Sequence, residues 1–389
     1  MQSNKPSRPV TMKEVGAAAG VTQSTVSRVL NDAPGRIAVS AKTRERVLAV
    51  ARELGYQPHP GARSLRGAPS MLLGAVVRDI ADPFFADVLA TLTLEAKVHG
   101  YSVVLGSARA TADEALALTA VLEARQCDAI VLVGDLRDEP LLVEDLLNSH
   151  VPVVALWHGQ QQRGRRFPTV AVDNRAGVRA ALTHLTALGH RRIAFVGGDW
   201  AEDVRERKAA YVEYLSDTGL VQPDGYIRDG LNGIPGGELA LAALLRLRPR
   251  PTAILTATDI LAMGVIHAAF ESGVAVPTEL SVVGFDDIPI AAGTVPGLTT
   301  VRMPTAEMVA ASVELAVGNP GWREQRAGNP PLVIFQPKLI TRHSTAAITP
   351  TAYGDRSTGD GAGERAMPAL APSSTATTAT TPTTATITT

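Results

Sequence analysis

One cysteine in 389 residues excludes an internal disulfide, and a chain of this size without one is expected in a reducing cytoplasm. That residue, Cys127, precedes the apolar run AIVLV and is expected in a core. No apolar run approaches the roughly eighteen residues needed to cross a bilayer, so no membrane span is expected. The opening stretch MQSNKPSRPVTMKE lacks the apolar segment of a secretory signal. No CxxC, HExxH or similar ligand spacing occurs, so neither a metal site nor a cofactor is expected. Catalytic signatures are missing as well: there is no phosphate-cradling glycine loop and no nucleophile–base pair. The tandem Asp286-Asp287 offers two carboxylates, but adjacent side chains diverge, and the chain is not expected to be an enzyme.

Net charge is close to zero, at −1, yet the charge is unevenly placed. Residues 1–67 hold 11 Lys and Arg against 4 acids, a net +7, which leaves −8 for the remainder. A small basic head on an acidic body is an electrostatic footprint for phosphate backbone.

Within that head, TMKEVGAAAGVTQSTVSRVL predicts two short helices joined by a tight turn at Gly20. Thr11 and Glu14 have the spacing of a capping box, which starts a helix at Met12. Thr22 can cap the second helix, whose Val26, Val29 and Leu30 fall on one face and point to a small core. Gln23, Ser24, Ser27 and Arg28 are left together on the opposite face, the arrangement of a recognition helix in a DNA major groove. A plain helical hairpin with a solvated face is the alternative, and the charge asymmetry weighs against it. After the loop NDAPGRIAV, Ser40 caps a third helix with Val47, Ala51 and Leu54 on one face and Gly55 at its end. The following YQPHPGARSLRGAPS is too polar and proline-rich to pack alone and is a linker, within which ARSLR can form one short helix.

From Leu72 onward, apolar runs alternate with amphipathic stretches. Strands are predicted at 72–77, 101–106, 129–133, 151–156, 192–197, 252–258 and 280–285, and helices at 84–99, 112–125, 175–188 and 236–248. Such alternation indicates parallel βαβ units, and the region is too long for a single sheet, so two lobes are expected. Beyond 346 the chain becomes Thr, Ala, Ser, Pro and Gly, a composition expected to be disordered. The domain plan is therefore a headpiece at 9–57, a hinge at 58–69, a two-lobed α/β core at 70–345 and a tail at 346–389.

These segments resemble the lactose/galactose-repressor family of bacterial transcription regulators. VTMKEVGAAAGVTQSTVSRVLN and TRERVLAVARELGYQPHPGARSLR are similar to its headpiece and hinge. LGAVVRDIADPFF, VAVDNRAG, HLTALGHRRIAFVGG, RERKAAY, TATDILAMG, VPTELSVVGFDD and PGLTTVRMP follow in the family's order, from about residue 9 to 345. The resemblance implies an α/β fold: a helix-turn-helix headpiece and hinge, then a two-lobed core of parallel sheets flanked by helices, built like periplasmic binding proteins. It also implies a cytoplasmic, nucleoid-associated homodimer that binds near-palindromic double-stranded operator DNA under the control of a small molecule, a carbohydrate by expectation. No leucine heptad follows residue 346, so the family's optional tetramerising element is not expected.

Carried over by position, Gln23 and Ser24 hold the two places that most often select operator sequence, and Arg28 is the recognition-helix arginine. Thr25 and Ser27 are its neighbours. Thr11, Asn31, His59, Ala62 and Arg63 complete the expected DNA contacts. Gln paired with adenine and Arg with guanine each give about 1–3 kcal/mol of discrimination. Leu65 matches the hinge leucine that wedges into the minor groove. In the core, Asp286 and Arg207 match an acid and a base that hold the ligand between the lobes, with Phe84, Phe85 and Thr258 beside them. Each has a plainer alternative: Asp286 as a turn cap, Arg207 in a surface ion pair, the phenylalanines as core. Four positions depart from the lactose repressor, where Val133, Ala176, Thr258 and Met303 replace polar side chains, so its ligand is not expected here. Trp157, His158 and Trp200 are further candidates, each more simply read as packing.

The function expected is a regulator, a repressor by default. An effector-dependent activator and a solute-binding protein without DNA function are the alternatives. If Leu65 is a wedge, Leu65→Ala weakens specific operator binding and leaves the salt-dependent nonspecific component nearly intact. Equal loss on operator and random DNA, measured by gel shift, refutes the wedge.

Overall fold

A computed structural model describes residues 10–31, 39–56, 69–107, 127–135, 140–149, 151–156, 167–318 and 330–348. The hinge region 57–68, the expected helix at 112–125, Trp157 and His158, and the chain beyond 348 lie outside these residues.

The described residues of the headpiece form three helices: α1 (Met12–Ala19), α2 (Gln23–Asn31) and α3 (Ala41–Glu53). The Thr11–Glu14 capping box forms in both directions. Gly20 closes α1 in the left-handed region at φ 63°, where a side chain would be strained. Ser40 accepts from the Thr43 amide at 3.2 Å to start α3. Val15, Ala19, Val26, Val29, Val47 and Ala51 form the headpiece core, with Leu30 packed against it.

Two six-stranded sheets build the body. The first runs β11-β5-β4-β3-β1-β2, all parallel, from β1 (Leu72–Val77), β2 (Ser102–Ser107), β3 (Ala129–Val133), β4 (Val153–Leu156), β5 (Thr169–Val172) and β11 (Leu332–Phe335). The second runs β12-β10-β9-β8-β6-β7. Its members are β6 (Ile193–Gly197), β7 (Ile227–Asp229), β8 (Ala253–Thr256), β9 (Ser281–Asp286), β10 (Thr299–Arg302) and β12 (Lys338–Ile340). Among the described strands β12 alone is antiparallel, and it sits on an edge. Central strands are buried on both faces, which is why they occur as unbroken apolar runs rather than alternating ones.

Among the helices, α4 (Pro83–Val98) and α5 (Pro140–Asn148) follow strands of the first lobe, and α6 (Asn174–Ala187), α7 (Glu202–Thr218), α8 (Ile234–Leu244) and α9 (Asp259–Glu271) belong to the second. The helix α10 (Thr305–Val317) follows a strand of the second sheet but packs on α4, β3 and β4. The chain therefore crosses between lobes at Asp173, at Met303–Pro304 and at Gln336–Pro337. These crossings are tied together. Asp173 donates its amide to Phe335 O at 2.9 Å and accepts at Oδ2 from Gln336 at 3.3 Å, while Met303 donates to Asp286 O at 3.3 Å.

Most expected ends shift by a residue or two, and two boundaries shift for a reason the packing shows. The helix expected to reach 248 stops at Leu244, short of the prolines at 249 and 251. The packed body runs to Ile348 rather than 345, because Ile348 donates to Leu188 O at 3.0 Å and Ala346 O accepts from the buried His190 at 3.1 Å. Within the second lobe α8 and α9 approach closely at glycines: a Cβ on Gly237 would lie 2.2 Å from Leu261 O. Gly237→Ala is accordingly expected to destabilise the body by about 2–3 kcal/mol in urea unfolding, since backbone cannot yield as a side chain can. A loss below about 0.5 kcal/mol would show that the helices slide apart freely.

Candidate nucleic-acid interface and ligand cleft

On α2 the apolar residues face inward, with Val26 and Val29 buried, and Gln23 and Ser24 stand exposed. Thr25, Ser27 and Arg28 are half-buried on the flank. The Thr22 hydroxyl starts the helix by accepting from the Thr25 amide at 3.3 Å, and it pairs with the Ser24 and Thr25 hydroxyls at 2.8 and 3.0 Å. Thr11 uses its hydroxyl in the capping box, donating to Glu14 at 2.8 Å. Asn31 closes α2, while His59, Ala62, Arg63 and Leu65 lie outside the described residues.

Between the lobes, Asp286 ends β9 with its backbone at φ 115°, and Asp287 follows at φ 56°. Two consecutive non-glycine residues with positive φ mark stored strain, and they send the two carboxylates apart. Asp286 meets Arg207 of α7, Nη1 to Oδ1 at 3.2 Å. Asp287 instead pairs with Arg302 and Arg342. Arg207 is 1% exposed and lies over the Phe285 ring at 3.8 Å. It also donates to Asn174 Oδ1 at 2.9 Å and Ala257 O at 2.6 Å, and faces Asp203 at 3.3 Å. The pair is neither a turn cap nor a surface bridge. Burial pushes the Asp286 carboxyl well above the ordinary range; Arg207 opposes this, and Asp259, Asp82 and Asp203 add to it.

The other ligand candidates separate. Phe84 is half-buried and lines a cavity of about 510 Å³ together with Asp286 and Met303. Phe85 is 1% exposed, packed under the Arg78 guanidinium at 4.8 Å, and belongs to the first lobe's core rather than to the cleft surface. Thr258 caps α9 and donates its hydroxyl to Asn232 Oδ1 at 2.8 Å, so it works through Asn232 rather than standing open. Val133 is core, and Cys127 is buried with its thiol pushed up to about 11 by desolvation.

Sequence spacing missed the groups that join the lobes. Asn232 donates to Asp82 Oδ2 across the cleft at 2.9 Å, and Arg78 faces Asp203 at 3.7 Å while lying 5.6 Å from the Trp200 ring. Asp135 accepts from the Glu202 amide at 2.8 Å and faces Arg205 at 3.5 Å. Of these, Asp82 alone had a local signal: it caps α4 ahead of Pro83. The others are paired across 67 or more residues, beyond any spacing rule.

Two family signatures match, Bacterial regulatory proteins, lacI family, over residues 11–59 and Periplasmic binding protein-like domain over 182–345. The HTH-type transcriptional regulator GalS of Salmonella typhimurium is 34% identical over 87% of this chain and 97% of its own. The HTH-type transcriptional repressor CytR of Escherichia coli is 30% identical over 90% of this chain and all of its own. The chain belongs to the lacI family of bacterial regulatory proteins. It is a DNA-binding transcriptional regulator, and its relatives are regulators rather than enzymes. Solved structures agree: a lac repressor dimer bound to operator and the anti-inducer ONPF matches with a TM-score of 0.76 at 29% identity, over 87% of this chain and 100% of that one. The transcriptional regulator CelR in complex with cellobiose matches at 0.63 and 28%, again over 87% of this chain and 100% of that one.

Behind the regulator's Asp286 lies a second buried carboxyl. Asp259 opens α9, accepting from the Thr300 hydroxyl and from the Ile288 amide at 2.9 Å, and burial pushes it from 3.8 up to about 7. A carboxyl raised on folding contributes stability that is full below about pH 4 and is lost as pH climbs to about 7, because the unfolded chain gives up its proton first. Asp259→Asn should therefore gain on the native chain by up to about 4 kcal/mol between those pH values, read from paired urea melts. Parallel pH profiles would mean that Asp259 is ionised throughout.

Proposed function

We propose that this regulator is a cytoplasmic repressor, acting as a homodimer on near-palindromic operator DNA. A sugar or sugar derivative held between the lobes on Asp286 switches it, and it has no catalytic activity. The observation carrying the ligand reading is the buried Asp286–Arg207 pair at the C-terminal ends of the second sheet, where open α/β sheets take their ligands. Arg207 already engages Asn174, Ala257, Asp286 and Asp203 with its five donors, so it has little left to donate. Asp286, by contrast, is a carboxyl group whose two oxygens offer more acceptor capacity than Arg207, its side-chain partner, takes up. Asp82 and Asp203 add further acceptors on the walls. Such a cleft suits a donor-rich, uncharged polyol better than a phosphorylated or carboxylated one. Support for the class comes from the cellobiose complex of CelR and from the operator and anti-inducer held by the lac repressor dimer.

Mechanistically, the ligand can act only through a difference in affinity between two lobe arrangements, and the operator must feel the same difference in return. On DNA, Gln23, Ser24 and Arg28 read base edges, Thr25, Ser27, Asn31 and Thr11 set the approach to the backbone, and His59, Ala62, Arg63 and Leu65 belong to the hinge. A thermal-shift screen with neutral sugars and nucleosides tests the reading. A true effector at about a hundred times its dissociation constant adds ~2.7 kcal/mol of stability, a rise of a few degrees. Asp286→Ala should abolish that rise and leave footprinting on the operator intact. A ligand that stabilises Asp286→Ala as much as the native chain would remove Asp286 from recognition.

A further inference from the structure

The helix α7 carries Asp203, Arg205 and Arg207, three of the groups that face the cleft, yet it begins without a cap of its own. Its N-cap residue is Ala201, which has no side-chain acceptor. The first amides of a helix have no intrahelical partner and present partial positive charge, so an uncapped, enclosed start is unfavourable. Here the missing acceptor comes from the other lobe. Asp135, at the end of β3, takes the Glu202 amide on Oδ2 at 2.8 Å. The same carboxylate faces the Arg205 guanidinium at 3.5 Å, and Arg205 is held in place by Glu202 at 3.1 Å. The Asp135 side chain is 5% exposed, so water replaces little of this contact while the lobes are together. Gly134 turns the chain toward the cleft at φ 89°, and a Cβ there would lie 2.9 Å from the Phe85 ring, which fixes where Asp135 emerges.

We propose that Asp135 is a positioning residue that ties the two lobes together by capping α7 from across the cleft. Opening the lobes breaks this contact, so α7 keeps its cap from Asp135 only while the lobes are together. The Asp82–Asn232 hydrogen bond acts in the same sense, between the start of α4 and the turn before α8. The resting balance between lobe arrangements, against which any effector must work, is then set by a residue that need not touch that effector.

The test uses the full chain without ligand. Hydrogen exchange is followed in residues 78–85, which lie in the lobe opposite α7 and so report opening rather than local capping. Asp135→Ala should speed that exchange about tenfold, and Asp135→Asn, which keeps an acceptor oxygen but drops the charge, about threefold. Glu202→Pro puts proline at the first position of α7, where it is tolerated, and removes the amide that Asp135 accepts. It should likewise speed exchange in 78–85 several-fold, in a lobe that the substitution does not touch. Unchanged exchange in 78–85 for folded Asp135→Ala overturns the proposal. Should Asp135→Ala fail to fold, unchanged exchange in Glu202→Pro overturns it instead.

Discussion

A buried guanidinium must be satisfied on every side, and in this body that demand falls on Arg207. Its donors and its flat face reach the first residue of α6, the end of β8, the end of β9 and the Phe285 ring. One side chain thereby fixes the relative positions of strand ends contributed by distant parts of the sequence. Stripping the guanidinium of both its acidic partners, Asp286 and Asp203, would leave a buried charge uncompensated, at a cost of roughly 3–5 kcal/mol. The same demand explains why Asp286 is held in a strained backbone conformation: the carboxylate has to point back at Arg207 while the chain turns away toward Ile288.

The three crossings between lobes make that rigid cluster usable. Lobes joined by three strands can rotate about a shared hinge line but cannot drift, and the hydrogen bonds among Asp173, Phe335 and Gln336 keep those strands in step. Bound to Asp286, a ligand would meet the first lobe at Phe84, which lines the same cavity, while Arg78, Asp82 and Asp135 already bridge the lobes. Each of these follows a strand of the first sheet at its C-terminal end, so a small rotation changes all of their distances together. Coupling between cleft and DNA needs only such a bistable arrangement, without a wire of contacts through the body.

How much of this was legible in the sequence follows from where each signal resides. The headpiece was readable because capping boxes, turn glycines and helix periodicity act within four residues, as Thr11, Gly20 and Ser40 show. The buried central strands were readable because a strand covered on both faces is continuously apolar. Strands β5, β7, β10, β11 and β12 escaped, since runs of three or four residues such as IRD, TTVR and KLI carry no period of their own. Asp286 and Arg207 were reached through family position, whereas their juxtaposition depends on a fold that brings residues 79 apart to 3.2 Å. Phe85 went astray for a physical reason: adjacent aromatics at a helix start point in different directions, and only Phe84 is left facing the cavity.

The uneven charge has its own consequence for how the regulator meets DNA. Residues 1–67 carry +7 and the rest −8, so a duplex attracts one part of the chain and repels the other. At physiological ionic strength these fields fade over about 8 Å, which means that the attraction acts where the headpiece touches phosphate and the repulsion acts on any body surface brought equally near. Nonspecific encounters are thus oriented before any base is read, and the acidic body contributes by disfavouring approaches in which the headpiece is turned away.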